Sequence, residues 1–96
     1  MNYKVSFSLK AVNELNQSIE WYNEQKTGLG KRFYSNVSAT IKTIKKNPFA
    51  FEMRHKEFRI VPLKVFPFVL AYFVVEPNEI IITAVFHTSR NSDEEL

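Results

Sequence analysis

Four cationic side chains have the types and placement to do chemistry in this 96-residue chain: Arg59, Lys64, His87 and Arg90. All four lie in or beside stretches dense in Val, Ile, Phe and Tyr, the types that suit a pleated sheet. Strand alternation puts Arg59, Val61 and Leu63 on one face, with Ile60 and Pro62 on the other. An arginine on such a face is not buried unpaired, so Arg59 requires a carboxylate partner or a polar site. The chemistry open to this set is recognition of negative charge, on a polyanion or an acidic protein. Other constellations are missing. There is no glycine-rich phosphate loop, no serine elbow and no histidine pair at metal spacing. His55 and His87 are too few for a metal site without carboxylates. The chain has no cysteine, which excludes a disulfide framework, an iron–sulfur cluster and a thiol nucleophile.

The net charge of +3 hides a partition. Residues 1–30 balance Lys4, Lys10 and Lys26 against Glu14, Glu20 and Glu24. Residues 31–70 set nine basic side chains against Glu52 and Glu57, a net of +7, and residues 71–96 set Arg90 against five acidic ones, a net of −4. The bland reading of the basic middle is a solvated helix face; the other is a polyanion surface. A hydrophobic share of 45% against 24% charged is a globular balance, and 15% aromatic content supplies large core side chains. The amino terminus does not look like an export signal, and the apolar run from Phe66 to Val75 is too short to span a bilayer. The expectation is one soluble, cytoplasmic domain over residues 1–96 with no membrane contact.

Elements must position those cations. Tyr3 to Phe7 alternates with period two and reads as a strand. Ser8 is a candidate N-cap for a helix whose Leu9, Val12, Leu15, Ile19 and Tyr22 form an apolar stripe, widened by Trp21. Gly28-Leu29-Gly30 ends that helix with glycine cap geometry. A second helix from Lys31 to about Lys46 aligns Phe33, Val37, Ile41 and Ile44, and Asn47-Pro48 stops it. Three strands follow, over Glu57 to Leu63, Phe68 to Val75 and Glu79 to Phe86, the last two joined by a Glu76-Pro77-Asn78-Glu79 turn. Pro62 and Pro67 place the first of these at an edge or bulge. The order strand, helix, helix, strand, strand, strand gives an α+β fold, a helical hairpin on a mainly antiparallel sheet. The polar, acidic residues 91–96 are expected to fray.

At the level of motifs, Phe66-Pro67-Phe68-x-x-x-Tyr72 followed by Ile80-Ile81-Ile82-x-Ala84-Val85-x-His87-x-x-Arg90 resembles the C-terminal signature of the RelE/ParE superfamily of bacterial toxins. Glu14-Leu15, Trp21-Tyr22, Gly28-Leu29-Gly30-x-Arg32-Phe33, Asn47-Pro48 and Arg59 follow in the same order, so the resemblance runs from about Tyr3 to Arg90. It implies the toxin of a type II toxin–antitoxin (plasmid-stabilisation) module, held inactive by a cognate antitoxin and needing no cofactor or metal.

The superfamily implies two mechanisms. In one, a ribosome-dependent endoribonuclease has the 2′-hydroxyl of mRNA attack the adjacent phosphate and so inhibits translation. Arg59 would then clamp the phosphate, His87 supply the acid, and Lys64 or Arg90 add a further cation. In the other, the toxin binds DNA gyrase and traps it without chemistry of its own. The basic middle segment favours ribosome and mRNA, with the gyrase inhibitor as the alternative. Two departures bear on the ribonuclease: no aromatic residue follows Arg90, and the proline and tryptophan common after that arginine in relatives are missing. Trp21, Phe49, Phe51 and Phe66 form a candidate apolar rim for the antitoxin.

Overall fold

In the computed structural model, which describes residues 2–55 and 57–96, a helical hairpin packs on one face of a five-stranded sheet. The elements are β1 (Lys4–Phe7), α1 (Leu9–Gln25), α2 (Leu29–Lys46), β2 (Met53–Arg54), β3 (Phe58–Pro62), β4 (Phe68–Val75), β5 (Glu79–His87) and α3 (Ser92–Glu95). The spatial order is β1-β5-β4-β3-β2. Only the β1–β5 pair is parallel, and the long connection between those strands allows it. Pro62 pairs with Val69, and β2 is too short to reach it, so its missing N–H faces the free edge of β3. The two-residue β2 has no periodicity to announce it in the sequence.

Ser8 caps α1 as its type suggests, with its Oγ accepting from the Ala11 N–H at 3.1 Å. The buried stripe is rotated from the expected one. Ala11 and Leu15 are buried, whereas Leu9 is 77% exposed and Val12 lies at the surface. Ser8 also donates to the Thr83 carbonyl, tying the helix start against β5, and Ala11 is the residue buried there. The glycine pair also acts differently. α1 ends at Gln25, and Gly28, at φ 90°, forms the N-cap of α2. Gly30 lies inside α2, where an added Cβ would come within 2.5 Å of the Ile19 carbonyl oxygen. The Asn23 side chain accepts from the Gly30 N–H at 2.8 Å, so the helices touch there backbone to backbone.

Tyr22 from α1 and Phe33 from α2 stack at 5.2 Å and meet Phe66 and Phe68 edge-on or tilted. This aromatic knot joins Val37, Ile44, Val61, Leu70, Tyr72, Ile80, Ile82 and Val85 in the main core. Full burial of a side chain such as Phe33 contributes roughly 2–3 kcal/mol.

A β-bulge decides what β5 presents. The register steps from Ala71↔Ala84 to Tyr72↔Ile82, leaving Thr83 as the extra residue. Plain alternation would put Ile80, Ile82, Ala84 and Phe86 on one face. With the bulge, Ile80, Ile82 and Val85 face the helices, while Ala84 and Phe86 join Ala71 on the opposite face. His87, two residues after Val85, therefore points to the helix side, against the Phe68 ring.

The last residues do not trail off. Residues 92–95 form a turn of helix capped by Asn91, and Leu96 packs against the second cluster of Ala71, Ala84 and Phe86. Arg54 donates to the Ser92 hydroxyl at 2.9 Å, His55 meets Asp93 at 2.7 Å, and Lys10 donates to the Glu95 carbonyl at 3.1 Å. The acidic tail finds basic partners on either side and apolar ground beneath Leu96, which the sequence composition did not reveal.

Candidate functional site

The four cations divide between the two ends of the sheet. Arg59 lies opposite Tyr72 on β4, and His87 lies opposite Phe68, four positions further along the same strand. That offset is about 13 Å along β4, and the strand itself stands between them. Lys64 follows the end of β3, where the Leu63 N–H donates to the Phe68 carbonyl at 2.9 Å, so it shares the end of His87 and Arg90. Arg59 is the one set apart.

Arg59 has found its polar site in the backbone. Its Nη1 donates to the carbonyls of Phe51 at 2.9 Å and Phe49 at 3.2 Å, and the guanidinium lies 5.3 Å from the centroid of the Phe49 ring. Beside it, the fully buried Tyr72 hydroxyl donates to the Pro48 carbonyl at 2.6 Å. Burial pushes the Tyr72 phenol up from 10.0 to about 12, with the Arg59 charge pulling partly back. Two adjacent side chains of the sheet thus hold three carbonyl groups, those of Pro48, Phe49 and Phe51, in the segment that follows α2. Alternation groups Arg59 with Val61 on one face, and the fold turns that face to the helices; the neighbouring Tyr72 has no such signal in the sequence.

At the other end, His87 closes β5 partly exposed. The Ser89 N–H donates to its Nδ1 at 3.0 Å, so the neutral ring carries its proton on Nε2. His87 and Arg90 line a shallow cleft of about 210 Å³ with Glu14, Gln17, Trp21 and Phe68. Glu14, singled out in the sequence only within the Glu14-Leu15 motif of the resemblance, turns toward β5 here. One carboxylate oxygen accepts from the Val85 N–H at 2.9 Å, the other from Lys10 at 3.1 Å. It covers a β5 amide that β1, ending at Phe7, is too short to pair. Arg90 is exposed, 3.8 Å from Glu95.

Lys64 stands at the rim of a separate groove of about 440 Å³ between α2 and β3, lined by Ala39, Thr40, Thr43, Phe51, Val61 and Leu63. The expected aromatic rim is dispersed. Phe66 is in the core, Phe51 lines this groove, Trp21 lines the His87 cleft, and Phe49 covers Arg59. Among the described residues, no group of three His, Asp or Glu stands together to hold a metal ion, and no helix is long and apolar enough to cross a membrane.

The fold is a small α+β domain, a helical hairpin on one face of a five-stranded sheet. The sequence matches the family model of the ParE toxin of type II toxin-antitoxin system, parDE, over residues 5–92. With nearly the whole chain matched, the protein belongs to the ParE toxin family, the toxin half of a type II toxin–antitoxin module, which implies a cognate antitoxin as partner. A solved structure titled "Chromosomal ParDE TA system from P. aeruginosa" is similar at a TM-score of 0.75 and 17% identity, over 88% of this chain and 95% of that one. At that identity the likeness speaks for the fold. The sequence matches no curated protein.

Proposed function

We propose that this toxin arrests growth by binding DNA gyrase, without chemistry of its own, and that the ribonuclease favoured by charge alone is set aside. One observation carries the reading: Arg59, the would-be phosphate clamp, has its guanidinium engaged by the Phe49 and Phe51 carbonyls, at the opposite end of the sheet from His87. In-line attack on a phosphate needs base, cation and acid around one reacting centre, within hydrogen-bond reach. A separation of about 13 Å along the strand does not provide that. Membership of the ParE toxin family leans the same way, because ParE is the gyrase-binding branch. The groove between α2 and β3, apolar with Lys64 at its rim, suits the antitoxin's apolar segment carrying an acidic residue.

Induced expression in a bacterial host, with separate pulse labels for DNA and protein synthesis, tests the reading. The expected outcome is early arrest of replication with an SOS response, unchanged in His87→Ala. An early fall in translation with replication intact, abolished by His87→Ala, would return the protein to the ribonucleases.

A further inference from the structure

One element carries far more charge than its neighbours use. α2 holds Lys31, Arg32, Lys42, Lys45 and Lys46 and no acidic residue, a net of +5 in 18 residues. Its hairpin partner α1 holds Glu14, Glu20 and Glu24 against Lys10. Among the described residues, none of the five α2 cations is ion-paired, and all five are exposed. Lys45 and Lys46 in the last turn suit the helix dipole, but Lys31, Arg32 and Lys42 have no such reason to be there.

Their placement is ordered. The buried side of α2 is Phe33, Val37, Thr40 and Ile44. Lys31 and Lys42, close to three whole turns apart, project together from the opposite side, flanked by Lys45 and Lys46. Ser35 and Ser38 fill the interval between Lys31 and Lys42, and Tyr34 and Arg32 stand at the margins. The outcome is a straight stripe about 22 Å long, from Lys31 to Lys46, of cations interleaved with hydroxyls.

We propose that this outer face of α2 is a binding surface for duplex DNA, with the lysines and hydroxyls contacting its phosphates. The residue types select among polyanions. A protein partner needs an apolar, water-excluding centre, and this face has none. Single-stranded nucleic acid is gripped by stacking on aromatic rings, and Tyr34 is the sole aromatic residue here. Phosphate contacts need only cations, hydroxyls and a matching length, and B-DNA's wide major groove admits the width of a helix where duplex RNA does not. The proposal goes beyond gyrase binding and does not depend on it, although gyrase would bring the toxin close to DNA.

Counterion release makes the surface measurable. Four lysines on four phosphates give a slope of log affinity against log salt of about −3.6, an affinity loss of roughly a hundredfold between 50 and 200 mM NaCl. The test is fluorescence anisotropy of the full chain on a labelled 24-base-pair duplex of arbitrary sequence. Wild type is expected to bind at 50 mM NaCl with that slope. K31Q/K42Q/K45Q/K46Q, checked for an unchanged circular dichroism spectrum and melting midpoint, is expected to lose most of it, and the double variant K42Q/K46Q about half. No binding at 50 mM, an unchanged slope in the quadruple variant, or equal binding of a 24-base-pair RNA duplex or a polyglutamate peptide through the same lysines would overturn the proposal. A supercoiling assay on the same proteins separates the two readings. DNA binding without gyrase inhibition leaves this surface standing and removes the gyrase reading; inhibition without DNA binding does the reverse.

Discussion

The two ends of the sheet offer similar ingredients, a nitrogen-bearing side chain beside an aromatic ring, and use them in opposite ways. At the Arg59 end the guanidinium and the Tyr72 hydroxyl point inward at backbone carbonyls, and the charge is held by the segment it supports. At the His87 end the ring packs on Phe68 and opens to a cleft with Trp21 and Arg90, and its hydrogen bonds are local ones to Ser89. The lesson is that residue type and strand parity do not separate a clamp for substrate from a clamp for the chain itself. That distinction lies in which carbonyls are within reach, and the reach is set by a segment with no periodic signal.

The comparison is broken most forcefully at Arg59. Arg59→Ala leaves two carbonyls without their charged donor and exposes the Phe49 ring's underside, so a stability loss of about 2–3 kcal/mol is expected by urea denaturation, together with faster proteolysis around residues 47–52. A stability equal to wild type would mean that Arg59 is not structural.

Tyr72→Phe comes next, at about 1–2 kcal/mol, because it strands the Pro48 carbonyl in a buried site while keeping the ring. It also carries a pH signature. The folded state holds the Tyr72 proton more tightly than the unfolded chain does. Its contribution is therefore fully present below pH 10 and is lost as pH rises through about 12. Wild type should weaken between pH 9 and pH 11.5 more than Tyr72→Phe does, and equal slopes would count against the buried hydroxyl.

These two positions also mark how far the sequence could be read. The α+β architecture, the face that Arg59 shares with Val61 and the role of Ser8 followed from periodicity and cap chemistry. The bulge at Thr83 did not, because one extra residue in a run of β-formers leaves no trace in residue type. It reversed the face of Val85 and His87 and so decided which cleft the histidine joins. Leu9 and Val12 looked like core because their spacing fits, but the close approach of α1 to β5 selected Ala11. The packing of residues 92–96 depends on Arg54, His55 and Lys10, which are distant in sequence and leave no local signal.

Smaller effects sharpen the contrast. Removal of residues 92–96 should cost about 1 kcal/mol or less, since exposed ion pairs contribute little, but it uncovers Ala71, Ala84 and Phe86. Increased binding of a hydrophobic dye is the readout. His87→Ala should change stability by about 0.5–1 kcal/mol, its ring being partly exposed and packed on Phe68, as a thermal melt would register.

The proposed binding of gyrase without a catalytic centre is open to direct test. The most direct measurement incubates the purified toxin with gyrase and supercoiled plasmid, then adds detergent and protease and scores linear DNA. In parallel, translating ribosomes with a defined mRNA are probed for cuts by primer extension. The account predicts linear plasmid that accumulates with toxin, equally for His87→Ala, and an intact message. A cut message with gyrase unaffected would contradict it.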